Sequence, residues 1–119
     1  MNKVPYYQLD VAAGASATTS VEIQKSDQVM FYVPAVAANF ASGVVKAVLQ
    51  GSYASGVTAI TSYFYDYVNG TNAENAVTIS TGGLYEFPNP GAAPYVKVKF
   101  DVAATVAVST YLTTPKTTF

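Results

Sequence analysis

The chain has 119 residues, half of them hydrophobic, with six cations against seven acids for a net charge of −1. That length supports one domain with a core of its own. The chain holds no Cys and no His, and all six cations are Lys. This excludes a disulfide framework, a thiolate zinc site, a histidine base or pH switch, and an arginine phosphate fork.

A pI near 5.0 leads us to expect no nucleic-acid partner. No run approaches the roughly 18 apolar residues of a membrane span. The N-terminus, Met-Asn-Lys-Val-Pro-Tyr-Tyr-Gln-Leu-Asp, lacks the apolar run of a signal peptide, so no export signal is expected. Only 11% of residues are charged, against about a quarter in ordinary domains. Thr, Ser, Asn, Gln and Tyr make up the polar surface instead. A surface this neutral suits an assembly or an extracellular setting.

In chain order, residues 1–8 read as an N-terminal arm, because Pro5 blocks regular pairing. Residues 9–12 are a short strand. Residues 14–20, rich in Ala, Ser, Thr and Gly, are a loop. Val21-Glu-Ile-Gln-Lys alternates, with Val21 and Ile23 inward. Ser26-Asp27-Gln28 is turn chemistry. The dense run Val29-Met-Phe-Tyr-Val reads as a strand buried on both faces, ended by Pro34. Residues 35–42 form a loop with room for one helical turn around Val36 and Phe40. Residues 44–53 are a strand whose Lys46 faces out, which turns Val45 and Ala47 inward.

Residues 58–68 are the most aromatic stretch. The expected parity puts Ile60 and Phe64 inward and the tyrosines outward, with Asp66 as a misfit. Asn69-Gly70 is the strongest short turn signal. Residues 76–80 form a strand with Val77 and Ile79 inward, broken by Gly82-Gly83. Residues 84–87 form a brief strand stopped by Pro88, and the three prolines of residues 87–94 make a rigid loop.

Residues 95–112 carry the clearest pattern. Val96, Val98, Phe100 and Val102 share one parity; Lys97, Lys99 and Asp101 share the other. This is a half-buried strand. A break at residues 103–105 predicts a hairpin into a second β-rich run, and residues 113–119 read as a polar tail. About eight or nine short strands with turn signals between them predict an all-β fold. We expect a single antiparallel β-sandwich, jelly-roll or immunoglobulin-like, spanning residues 1–119 as one domain.

No motif carries catalysis, and no cofactor is expected. Asp10, Glu22, Asp27, Asp66, Glu74, Glu86 and Asp101 are scattered, which gives no glycosidase-like pair. A Ser-His-Asp triad is impossible without His. No Asp-x-Asp-x-Asp loop suggests calcium; only Asn72 and Glu74 fall close enough to be considered. Gly82-Gly83 is a turn and not a phosphate cradle.

A short, Cys-free β-protein rich in Ala, Thr, Val and Tyr, with Pro-Tyr-Val-Lys-Val-Lys-Phe near its end, resembles the small virion proteins of tailed bacteriophages. The likeness is greatest to head decoration or cement proteins. It implies a structural, non-enzymatic role on the capsid surface. The partners would be the major capsid protein, further copies of the chain, or both, with the chain lattice-bound or a homo-oligomer. The alternative is a carbohydrate- or receptor-binding module of a phage fibre or baseplate. Tyr presents a flat amphipathic ring at low entropic cost. We therefore expect subunit contacts from Tyr6, Tyr7, Tyr63, Tyr65 and Phe119.

Overall fold

The computed structural model describes residues 6–23, 28–52, 65–66, 75–88 and 95–114. The strands are β1 (Tyr6–Val11), β2 (Val21–Glu22), β3 (Met30–Val33), β4 (Val45–Ser52), β5 (Tyr65–Asp66), β6 (Ala76–Ile79), β7 (Gly83–Glu86), β8 (Tyr95–Phe100) and β9 (Val108–Thr113). One helical turn, α1 (Val36–Asn39), lies between β3 and β4. The fold is an all-β sandwich of two antiparallel sheets. The first has the order β1-β9-β3-β7. The second runs β2-β8-β4, with β5 and β6 sharing the far side of β4.

Period-two alternation builds both layers. From the first sheet, Leu9, Val11, Phe31, Val33, Val108 and Leu112 are buried. From the second, Val45, Ala47, Leu49, Ile79, Val96, Val98 and Phe100 meet them. The inward parities expected for Val45, Ala47, Val96, Val98, Phe100 and Ile79 are those observed. Val36 and Phe40 tuck under one end, where Phe40 packs on Phe100 with ring centroids 4.8 Å apart.

Four expectations change. First, β8 and β9 do not form a hairpin; they belong to opposite sheets. The segment between them is held from both sides as it crosses. Gly14 N donates to Ala104 O at 2.8 Å and Ala104 N to Ala15 O at 2.9 Å. On the other side Ala41 N donates to Ala103 O at 3.0 Å and Thr105 N to Asn39 O at 2.9 Å. These bonds occupy backbone groups that a hairpin would have paired between its own arms.

Second, the run at 29–33 is buried on one face only. Phe31 and Val33 are buried, whereas Tyr32 is 43% exposed. β3 is central within its sheet, between β9 and β7, but no described element lies over its outer side.

Third, the arm is shorter than residues 1–8. Tyr6, Tyr7 and Gln8 open β1 and pair with Thr113, Leu112 and Tyr111. At the other end Thr113 is still in β9 and Thr114 is buried. Cutting off residues 1–7 therefore removes the first two residues of β1, and cutting off residues 114–119 removes a buried residue directly after β9.

Fourth, residues 16–18, expected in a loop, run alongside β8. Phe100 N donates to Ser16 O at 2.6 Å and Thr18 N to Val98 O at 2.9 Å. The Thr18 hydroxyl accepts from Val98 N at 3.0 Å and donates to Thr19 O at 2.8 Å. A threonine thus replaces a ladder partner, which small polar residues do readily.

Candidate interaction surface

The outer face of the first sheet follows from its register. The pairings Tyr6↔Thr113, Met30↔Thr113 and Met30↔Glu86 set one row across four strands. Gln8↔Tyr111, Tyr32↔Tyr111 and Tyr32↔Leu84 set the next. Asp10 and Ser109 begin a third. All of these residues lie on the parity opposite the buried one.

The face is aromatic and apolar along Tyr6, Tyr111, Tyr32 and Leu84, with Tyr111 and Tyr32 on its two central strands. Tyr6 is 70% exposed, Leu84 57% and Tyr32 43%. Tyr111 sits between the other two tyrosines, 6.0 Å from Tyr6 and 6.3 Å from Tyr32 between ring centroids. Cross-strand aromatic contacts of this kind stiffen a sheet, yet here the rings remain on the solvent side. The second sheet differs in character. Lys46, Lys97 and Lys99 lie on its outward parity. The Lys97 ammonium is held below its ordinary range, chiefly by burial and then by the charge of Lys99.

The tyrosine face is polar at one corner. Asp10 Oδ1 accepts from Gln8 Nε2 at 2.9 Å and from Ser109 Oγ at 3.0 Å. Glu86 marks the diagonally opposite corner, at the end of β7.

Of the anticipated contact residues, Tyr6 stands on this face. Tyr7 is on the other parity, half-buried and packed against the core. Tyr65 belongs to β5 in the opposite sheet, paired with Gly51. Tyr63 and Phe119 lie outside the described residues, as do the expected parities of Ile60 and Phe64 and the Asn69-Gly70 turn. Sequence reasoning missed Tyr32, Tyr111 and Leu84. Tyr32 and Tyr111 each stand between two buried neighbours, whereas Leu84 stands between the half-buried Gly83 and Tyr85; the density of apolar residues at 29–33 hides the alternation around Tyr32.

Among the described residues no three His, Cys, Asp or Glu side chains come together as a metal site. Among them, too, no helix is long and apolar enough to cross a membrane. No family model matches the chain, and no curated protein matches it.

Proposed function

We propose that this chain is a non-enzymatic structural protein of the capsid-decoration kind, which docks through the tyrosine face of its first sheet. The observation that carries this reading is the row of Tyr111, Tyr32 and Leu84, with Tyr6 beside it, on the open side of a four-stranded sheet. Tyrosines at the centre of a contact with charged residues at its rim are the arrangement of a protein interface. The virion setting comes from the resemblance of the sequence to small phage head proteins.

Magnitudes favour a repeated contact over a solitary one. Four strands by three rows cover at most about 400 Å², half of the roughly 800 Å² per partner of a standard stable interface. A single such contact is weak. Copies held on a lattice, or joined as an oligomer, gain avidity from multiplicity.

The alternative is a carbohydrate-binding module, since tyrosines next to Gln8, Asp10 and Ser109 have the composition of a sugar site. Ring geometry argues against it. Neighbouring planes are tilted by 53° and 41°, so the rings do not form one continuous flat platform for a run of stacked sugars.

The test is reconstitution. The purified chain is mixed with shells of the major capsid protein encoded in the same genome, and occupancy is compared for the parent and for Tyr32→Ser/Leu84→Ser. Saturating binding by the parent and its loss in the double variant are expected. A parent that leaves the shell bare at every concentration would overturn the reading.

A further inference from the structure

We infer that the Asp10 corner of the tyrosine face receives a guanidinium or ammonium group, a basic side chain presented by the docking protein. This rests on the docking reading above and adds the chemistry of the partner.

The first observation is a carboxylate set in position. Gln8 Nε2 and Ser109 Oγ both donate to Asp10 Oδ1, and Gln8 Nε2 also reaches Ser109 Oγ at 3.4 Å. The two donors come from adjacent strands, so the carboxylate is oriented by the sheet itself. Oδ2 takes part in neither bond. The three side chains line a shallow concavity of about 350 Å³ that also involves Thr19, Ala12 and Ala107. A ligand group entering there meets an oriented acceptor without having to order it first, which lowers the entropic cost of binding.

The second observation is the aromatic neighbour. Asp10 pairs with Ser109, and Gln8 with Tyr111. Tyr111 therefore stands one row from the carboxylate, with Tyr6 beside it at 6.0 Å. Aromatic faces attract cations, guanidinium in particular. Asp10 and Tyr111 are diagonal neighbours on adjacent strands, about 7–8 Å apart, a span that the stem and head of one long basic side chain can bridge.

The third observation is charge. Among the described residues the face carries the carboxylates of Asp10 and Glu86 and no cation. The three described lysines, Lys46, Lys97 and Lys99, are all on the other sheet. Among the described residues, the charges that an approaching partner meets on this face are therefore acidic and lie at its corners. Such charges set partner choice, orientation and encounter rate more than tightness.

A sugar would use the same acceptor through hydroxyl donors, and the test separates the two. The full-length chain, labelled with ¹⁵N, is titrated at matched ionic strength with acetyl-arginine amide, with its neutral isostere acetyl-citrulline amide, and with methyl glucoside. We expect amide shifts clustered at Gln8, Asp10, Ser109 and Tyr111 with the arginine compound alone. Asp10→Asn should weaken that response roughly three- to fivefold. Ser109→Ala, which keeps the charge but removes one orienting bond, should weaken it less. Equal shifts with citrulline, a response to methyl glucoside instead, or no clustered shifts would each overturn the assignment.

The shell assay distinguishes the two levels of argument. Full occupancy by Asp10→Asn, together with loss in Tyr32→Ser/Leu84→Ser, leaves docking standing and removes the cation. Full occupancy by Tyr32→Ser/Leu84→Ser removes the docking reading itself.

Discussion

Phe31 and Phe100 meet across the two sheets with their ring centroids 6.0 Å apart. Phe31 comes from β3 of the first sheet and Phe100 from β8 of the second. Phe87 extends the row on one side at 5.5 Å from Phe31, and Phe40 on the other at 4.8 Å from Phe100. Four rings thus clasp the layers that carry the tyrosine face on one outer surface and the lysines on the other.

Removing one ring should loosen the clasp strongly. Phe100 is 1% exposed, so Phe100→Ala should cost about 3–5 kcal/mol in a urea titration. Phe100→Asp should not fold, because it leaves a carboxylate in the core without a partner. In a double-mutant cycle with Phe31→Ala, a coupling of about 0.5–1.5 kcal/mol is expected. Strictly additive losses would show that the two rings do not act on each other.

Much of this core was legible because alternation needs no knowledge of the partner strand. Val96, Val98 and Phe100 declare their face by the Lys residues between them, and Val45, Ala47 and Leu49 do so by Lys46 and Gln50. Topology was less legible. Ala103, Ala104 and Thr105 look like a hairpin break, since nothing in three small residues announces that residues 14–15 and 39–41 will bond to them. The tyrosine face was half legible. Tyr6 stood out at the chain's start, but Tyr32 and Tyr111 come together only through the pairing of β3 with β9, a contact between residues about eighty apart in the chain.

Glycine positions separate close packing from open turns. A Cβ on Gly82 would lie 2.7 Å from Pro34 C and 2.8 Å from Ala35 N, both backbone atoms. Gly82→Ala should therefore cost about 1–3 kcal/mol by forcing backbone shifts. Gly43 has nothing within 4 Å of the same position. Gly43→Ala should be neutral or stabilise by up to about 1 kcal/mol through the unfolded state. Thermal melts of both variants decide it, and equal midpoints would contradict the close approach at Gly82.

Lys97 offers a titration. Burial first and Lys99 second hold its ammonium below the usual 10.5. A base whose folded value lies below its unfolded value contributes stability that is complete above the unfolded value and lost as pH falls through the folded one. The parent should therefore gain stability relative to Lys97→Met as pH rises from the folded value toward 10.5. Lys99→Gln should raise the Lys97 value while leaving it below 10.5, since burial is the larger cause. Side-chain NMR titration of Lys97 measures both, and a parent value at or above 10.5 would refute the assignment.

Adjacent tyrosines provide the sharpest check of the face, because β1 sends them to opposite sides. Tyr6 is 70% exposed, whereas Tyr7 packs against the core. Tyr6→Ser should leave the melting midpoint close to that of the parent, a change within about 1 kcal/mol, and should weaken docking. Tyr7→Ser should lower stability by about 1–3 kcal/mol, and its effect on docking should follow the loss of folded protein. Urea titration and shell occupancy, measured on the same preparations, read the two effects separately. If Tyr6→Ser destabilised the fold more than Tyr7→Ser while docking stayed intact, the parity of β1 would be inverted. The tyrosine row would then belong to the packing of the sheet and not to its partner.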